Sequence, residues 1–298
     1  MNHRVFLTGA SGFVGSAVLQ RLLADGMPIV ATIRGNSSPL PPAVEAVPFD
    51  SFEEACQWGE ALLGCDTVIH CAARVHVMND TEADPLAAFR KVNVQGTMNL
   101  ARQAVAAGVK RFVFVSSIKV NGEETAIGQP YTAHDRPQPQ DPYGISKMEA
   151  EAELWALAKA SGLEVVIIRP VLVYGPGVKA NFQAMMRWLS KGVPLPFGAI
   201  DNRRSLVALD NLVDLITTCI DHPAAANQVF LVSDGEDLST TELLRRLGQA
   251  LGRPARLLPV PQGLIKVAAL LVGRADLSQR ICGSLQVYID KTRDLLDW

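Results

Sequence analysis

The apolar positions of the chain gather into short β-branched runs, separated by longer stretches of helical period. "RVFLTGA", "PIVATIR", "VEAVPFD", "TVIHCAA", "RFVFVSS" and "EVVIIRP" all lie within the first 170 residues. Strands that are apolar at consecutive positions are buried on both faces, and their alternation with helices indicates a parallel sheet covered on both sides. The pattern predicts an α/β fold, a doubly wound parallel sheet with helices over 13–25, 85–107 and 143–161. Pro85 and Pro142 stand where a first helical turn tolerates proline, and Gly108 and Gly162 stand where C-caps belong.

After Pro170 the alternation stops and glycine and proline punctuate the chain, in "YGPGVKANF" and "KGVPLPFGAIDNRRS". A smaller C-terminal lobe is expected to begin there. "SLVALD" and "QVFLVSD" resume the strand pattern, so the main domain is read as 1–170 with a return segment at about 205–233. The lobe is read as 171–204 and 234–298. "LIKVAALLVG", at 264–273, carries Lys266 and is too short to span a bilayer. It reads as a packed helix, with membrane-surface contact as the alternative that a polyprenyl-linked substrate would favour.

Composition narrows the class. With 48% hydrophobic residues, 19% charged and a formal net charge of −2, the chain matches an ordinary globular protein and advertises no nucleic-acid face. The five cysteines include no C-x-x-C pair and suggest neither a disulfide framework nor a zinc site. With no charged leader and long apolar stretch at the N-terminus, a cytoplasmic location is expected. His3, His70, His76, His134 and His222 show no metal spacing, so no metal is implied.

"LTGASGFVG" sets Gly9, Gly12 and Gly15 between the first strand and the first helix. The G-x-x-G-x-x-G spacing departs from the usual Rossmann G-x-G-x-x-G, but the physics carries over. Gly9 permits the tight turn, Gly12 lets backbone approach a pyrophosphate, and Gly15 lets helix and strand pack closely. The helix opening at Phe13 and Val14 then faces the negative charge. An acidic residue usually ends the second strand of an NAD site to take the ribose hydroxyl. Here Ile33 and Arg34 stand there, and a guanidinium suits a 2′-phosphate, so NADP is favoured and NAD remains possible. Asp50, ending the third strand, could accept from the adenine amino group.

The glycine turn is followed in order by "HCAA" at 70–73, "VNVQGTMNL" at 92–100, "FVSS" at 114–117, "YGISK" at 143–147 and "RPVLVYGPG" at 169–177. Over nearly its whole length the chain resembles the extended short-chain dehydrogenases/reductases, the NAD-dependent epimerase/dehydratase family. The resemblance implies a Rossmann sheet with a smaller substrate lobe. It also implies cofactor contacts from the glycine turn, Cys71, Ala72, Ala73 and Pro170, together with Tyr143 and Lys147.

Residues four apart on a helix are neighbours, so Lys147 is expected beside Tyr143, where a cation would lower the phenol's pKa. Tyr143 is then the acid/base that moves the proton matching hydride transfer. By the resemblance Lys147 also bonds the nicotinamide ribose, Ser117 rather than Ser116 holds the substrate oxygen, and Asn93 supports the site through backbone or water. Asn121 departs from the family by replacing a usual tyrosine.

Many extended members act on nucleotide sugars. "NRRSLVALDNLVDLI" looks like the family's segment in which an arginine binds the diphosphate, which points to Arg204 and then Arg203, with Asn181 as a further contact. "ARVHVMND", at 73–80, could border the sugar pocket. Whole segments resemble bacterial surface-polysaccharide enzymes of O-antigen or lipopolysaccharide synthesis.

The expectation is an NAD(P)-dependent reductase acting on the 4-keto group of a UDP-4-keto-6-deoxy-N-acetylhexosamine. A UDP-sugar 4-epimerase with retained NAD is the alternative, and a non-enzymatic NAD(P) sensor is the alternative of another class. Arg34, the chain's brevity, and Val171 and Leu172 in place of an epimerase-like "FNVYG" favour the reductase. Ile118 and Lys119 stand where a dehydratase carries Asp-Glu. The alanine-rich helices at 85–107 and 143–161 suggest a homodimer.

Overall fold

The computed structural model describes residues 3–35, 39–52, 56–75, 84–178, 180–271, 273 and 275–298, without the side chains of 180, 181 and 275–277. The first strands are β1 (Val5–Thr8), β2 (Ile29–Arg34), β3 (Val44–Phe49) and β4 (Thr67–His70), with α1 (Phe13–Ala24) after β1 and the short α2 (Gly59–Leu62) before β4. Then come α3 (Pro85–Arg90), a π-helical turn at Lys91–Gly96, α4 (Thr97–Ala106), β5 (Arg111–Val115), α5 (Pro142–Ser161) and β6 (Glu164–Pro170). The second half holds β7 (Leu172–Tyr174), α6 (Ala180–Ser190), β8 (Arg204–Ala208), α7 (Leu209–Thr218), β9 (Gln228–Val232) and β10 (Asp237–Leu238). It closes with α8 (Thr240–Ala250), α9 (Gln262–Leu271), α10 (Ala275–Cys282) and α11 (Asp290–Leu296).

Seven strands form a parallel sheet in the order β3-β2-β1-β4-β5-β6-β9. The order reverses between β1 and β4, and a crevice at such a reversal is where open α/β sheets bind ligands. Strand alternation divides the core. Val5 and Leu7 join the cluster under α1 and α7, while Phe6 points to the opposite face with Met98, Leu100 and Leu154 of α4 and α5. Both faces are buried, which is why the strands read as continuous apolar runs.

β8 pairs with β7 and β10 in a small separate sheet, and β9 joins the large one. Of the two late strand-like runs, then, "QVFLVSD" reaches the main sheet and "SLVALD" does not. The helix expected over 85–107 is present but broken by the π-helical turn, an insertion that local periodicity does not reveal. The packed-helix reading of 264–273 also needs correction: α9 lies against α10, but none of its residues is buried.

Candidate active site

The turn after β1 is shaped by two glycines. Gly9 has φ +75°, and a Cβ there would stand 2.7 Å from the Ala72 amide nitrogen, across the β1/β4 crevice. A Cβ on Gly15 would stand 2.1 Å from the Gly9 carbonyl oxygen, so any side chain would force α1 off the strand. Gly12 caps α1 with extended backbone and no side-chain hydrogen bond, leaving the first-turn amides at Phe13 and Val14 for an outside acceptor. No acidic side chain occupies that turn. It is therefore built to receive an anion.

α5 carries the candidate acid/base. Asp141 caps it by accepting from the Gly144 amide at 2.7 Å, Pro142 starts it, and Gly162 ends it in the left-handed conformation at φ 79°. Tyr143 is therefore in the first turn and Lys147 one turn on. The Ser117 hydroxyl stands beside the Tyr143 phenol and accepts from the Lys119 amide at 3.3 Å, in the tight turn that follows β5. The adjacent Ser116 points the other way and donates to Glu151, as successive strand residues must. The two serines that sequence left side by side are thus separated.

The electrostatics differ from the expectation for Lys147 acting on Tyr143. Burial, and next the carboxylate of Asp141, push the Tyr143 phenol up to about 12, while the Ser117 hydroxyl works against them. Lys119 ion-pairs with Asp141 and tempers its field. Lys147 is almost fully buried; its ammonium donates to the Val115 carbonyl at 2.9 Å and lies 4.3 Å from the centre of the Phe114 ring. Burial pulls it down to about 8, with Glu151, one turn further along α5, opposing. Burial and Asp141 thus hold the phenol protonated at neutral pH.

This has a measurable consequence. The unfolded chain keeps the lysine proton up to the ordinary 10.5, whereas the folded chain releases it from about 8. The unfolded state binds more protons in that interval, so this group's contribution to stability rises with pH there. Burial holds Cys71, Cys219 and Tyr143 protonated to about 12 and opposes that rise once free thiols ionise near 9. Lys147→Met removes the rise alone. Thermal melts of the cofactor-free protein at rising pH should show the variant more stable than the parent below 8, with the gap closing above it; a constant gap would refute the assignment.

Asn93 lies in the π-helical turn and is buried. Its side chain accepts from the Arg74 amide at 2.8 Å and donates to the Arg74 carbonyl and to Ser146 of α5, each at 3.0 Å. It therefore ties the loop after β4 to α5. His70, which sequence left without a role, anchors the same region. The Thr97 hydroxyl donates to the Asn93 carbonyl at 2.8 Å, so at 2.9 Å it accepts from the His70 Nε2. The His70 Nδ1 is then left to accept from Thr8 at 2.6 Å. The ring is stacked between Phe52 and Phe114, and burial holds it neutral.

The other expected residues are more dispersed. Arg34 is exposed at the end of β2, with its guanidinium 6.0 Å from the centre of the Phe49 ring, and Asp50 is exposed just beyond β3. Cys71, Ala72 and Ala73 form the loop opposite Gly9, with the Ala72 amide donating to Thr8, and Pro170 is buried at the end of β6. Arg204 is half-buried and its Nη1 donates to the carbonyls of Arg280, at 2.9 Å, and Gly283 at the end of α10. Arg203 is exposed and 3.9 Å from Asp201. The side chain of Asn181, and residues 76–80 of "ARVHVMND", lie outside the described residues.

The sheet's reversal point thus carries a turn open to an anion, and Ser117, Tyr143 and Lys147 gather beyond β5. The profile of the NAD dependent epimerase/dehydratase family matches residues 5–233. The chain belongs to this family. It is an enzyme of the nucleotide-sugar-modifying class, and its uncapped helix opening, with no acidic side chain in the first turn, fits the dinucleotide that the family uses.

Among its relatives is a protein of Vibrio cholerae named UDP-glucose 4-epimerase, 51% identical over 299 residues, spanning 100% of this chain and 91% of that protein. An Escherichia coli O157:H7 protein named N-acetyl-α-D-glucosaminyl-diphospho-ditrans,octacis-undecaprenol 4-epimerase is 30% identical, over 89% of this chain and 78% of its own. The solved structure of a Thermotoga maritima UDP-glucose 4-epimerase with UDP-glucose superposes with a TM-score of 0.75 at 23% identity, covering 99% of this chain and 93% of that one. At that identity it speaks for the fold.

Proposed function

We propose that the protein is a UDP-sugar 4-epimerase that retains NAD through the reaction. The observation that carries this is the 51% identity, across the whole chain, with a protein named UDP-glucose 4-epimerase. The 4-ketoreductase favoured by sequence gives way to it. Brevity no longer argues against an epimerase, because the V. cholerae protein is matched over 91% of its length. NADP is set aside in favour of NAD, and Arg34, resting near Phe49, serves adenine by stacking rather than a 2′-phosphate by charge.

In this reading Gly9, Gly12, Phe13, Val14 and Gly15 hold the pyrophosphate, Arg34 and Asp50 border the adenosine, and Cys71–Ala73, Lys147 and Pro170 border the nicotinamide half. Bound NAD supplies a positively charged hydride acceptor. Tyr143 takes the proton from the sugar's 4-hydroxyl as C4 is oxidised and returns it, after the keto sugar turns over, to the oxygen of the inverted alcohol. Ser117 donates its single hydroxyl proton to the same sugar oxygen as Tyr143 takes the proton that oxygen carries. The buried Lys147, its ammonium held by the Val115 carbonyl, orients the ribose. Arg204, with Arg203 next to it in the chain, takes the diphosphate, and Asn181 is a further contact. Residues 171–204 and 234–298 act as the substrate lobe of a discontinuous two-part chain. A cytoplasmic homodimer packed through α4 and α5 completes the reading.

The test is to supply UDP-glucose and UDP-N-acetylglucosamine without added cofactor and follow the anomeric protons by NMR. Conversion to the galacto epimers is expected. Stoichiometric oxidation of NADPH with a UDP-4-keto-6-deoxy-N-acetylhexosamine, without interconversion of the other two sugars, would restore the reductase.

A further inference from the structure

The outer face of α9 is apolar and uncovered. Leu264, Val267 and Leu271 follow the i, i+3, i+7 spacing of one helical face and are 61%, 54% and 82% exposed, with Leu270 beside them at 67%. Only Gln262, Ile265 and Ala269 turn inward far enough to be half-buried. A helix with an apolar stripe on its solvent side is expected to bury it against something else.

The charges around it select the occupant. Residues 251–283 contain five basic side chains, Arg253, Arg256, Lys266, Arg274 and Arg280, against one acidic side chain, Asp276, in a chain whose net charge is −2. Arg253, Arg256, Lys266 and Arg280 are all exposed. Glu124 borders the α9–α10 groove beside Lys266, but the segment still carries more cations than carboxylates, and a second copy meeting this face by two-fold symmetry would set that excess against itself. An anionic lipid surface meets both features: it accepts the apolar stripe among its acyl chains and the cations among its headgroups. No helix among the described residues is long and apolar enough to cross a membrane, so contact would be peripheral.

We propose that α9 docks the enzyme on an anionic membrane surface, lying in the interface with Leu264, Val267, Leu270 and Leu271 inserted. The position has a functional meaning. Glu124, seven residues beyond Ser117, borders the groove between α9 and α10 together with Lys266 and Leu270. Arg204 is bonded to the end of α10. Docking through α9 therefore holds the substrate lobe at the lipid surface. The inference goes beyond the proposed epimerase activity and does not depend on it.

The experiment is flotation of the full chain with vesicles of phosphatidylcholine alone or mixed with phosphatidylglycerol. Binding to the mixed vesicles is expected, falling steeply with salt as screening removes the electrostatic part. Leu264→Ser/Val267→Ser/Leu271→Ser should lower partitioning at least about tenfold, from lost apolar burial alone. Lys266→Glu/Arg256→Glu should abolish the preference for anionic lipid. Circular dichroism matching the parent keeps misfolding from imitating either result. Equal recovery with both vesicle types, or none with either, would overturn the proposal. So would a triple-serine variant that partitions like the parent while light scattering shows a smaller oligomer, because α9 would then cover a second copy.

Discussion

Tyr143→Phe is expected to lower turnover by about a thousandfold, within the range for losing a positioned general acid/base, while the protein still purifies with bound dinucleotide. The substitution removes one oxygen. The ring keeps its edge contact with Phe89, at 6.0 Å between centroids, so α5 has no reason to move. What disappears is the hydroxyl beside Ser117 that, in the proposed mechanism, carries the proton to and from the sugar oxygen. The measurement is single-turnover conversion of UDP-glucose beside the absorbance of the retained cofactor. Activity within tenfold of the parent would assign the proton to another group. Loss of the cofactor would mean that the phenol's role is in binding.

Arg169→Met should be the most destabilising single change near the site, lowering the unfolding free energy by about 3–5 kcal/mol, the usual penalty for stranding one partner of a buried ion pair. Arg169 and Glu151 are 4% and 3% exposed, and the guanidinium reaches both carboxylate oxygens. Its remaining arm donates to Asn121 at 2.9 Å, and Asn121 in turn donates to the Thr132 carbonyl. The variant leaves Glu151 buried with Ser116 as its remaining hydrogen-bond donor. Urea unfolding of the cofactor-free chain gives the number. Adding Glu151→Leu should recover most of the loss, because replacing both charges by apolar groups avoids the stranded carboxylate. A single-variant loss below about 1 kcal/mol would mean that the pair is relaxed by water.

These two residues illustrate what could be read before the fold was known. The glycine turn and the pairing of Tyr143 with Lys147 were legible because each sits at a chain position that local rules define, a strand-to-helix turn and a helix's first turns; Ser117 was picked from two neighbouring serines by the family resemblance. The six early strands were legible for the same reason, since a doubly covered sheet writes itself as continuous apolar runs. Glu151, Arg169 and Asn121 were not, because their partnership joins three elements far apart in sequence. Asn121 in particular looked like a gap where a tyrosine was expected, and it proves to be the acceptor for Arg169. His70 was passed over because a lone histidine in an apolar strand signals nothing until Thr8 and Thr97 are seen on either side. The π-helical turn at 91–96 was hidden because one extra residue barely disturbs helical periodicity, yet it lies where Asn93 faces Arg74 and Ser146. The one electrostatic expectation that failed, a phenol eased by Lys147, failed because spacing sets neighbours and says nothing of burial.

Tyr143, Lys147 and Glu151 occupy successive turns of α5, so one rod fixes the spacing of the phenol, the ammonium and the carboxylate that is clamped to β6 through Arg169. A single residue inserted between 143 and 151 would rotate the downstream groups by about 100° and unseat all three relations together. Comparable insertions in the loops of the smaller lobe leave the rod untouched. On the proposed reading, in which residues 171–204 and 234–298 hold the sugar, a change of sugar can be accommodated there without disturbing the spacing fixed by α5.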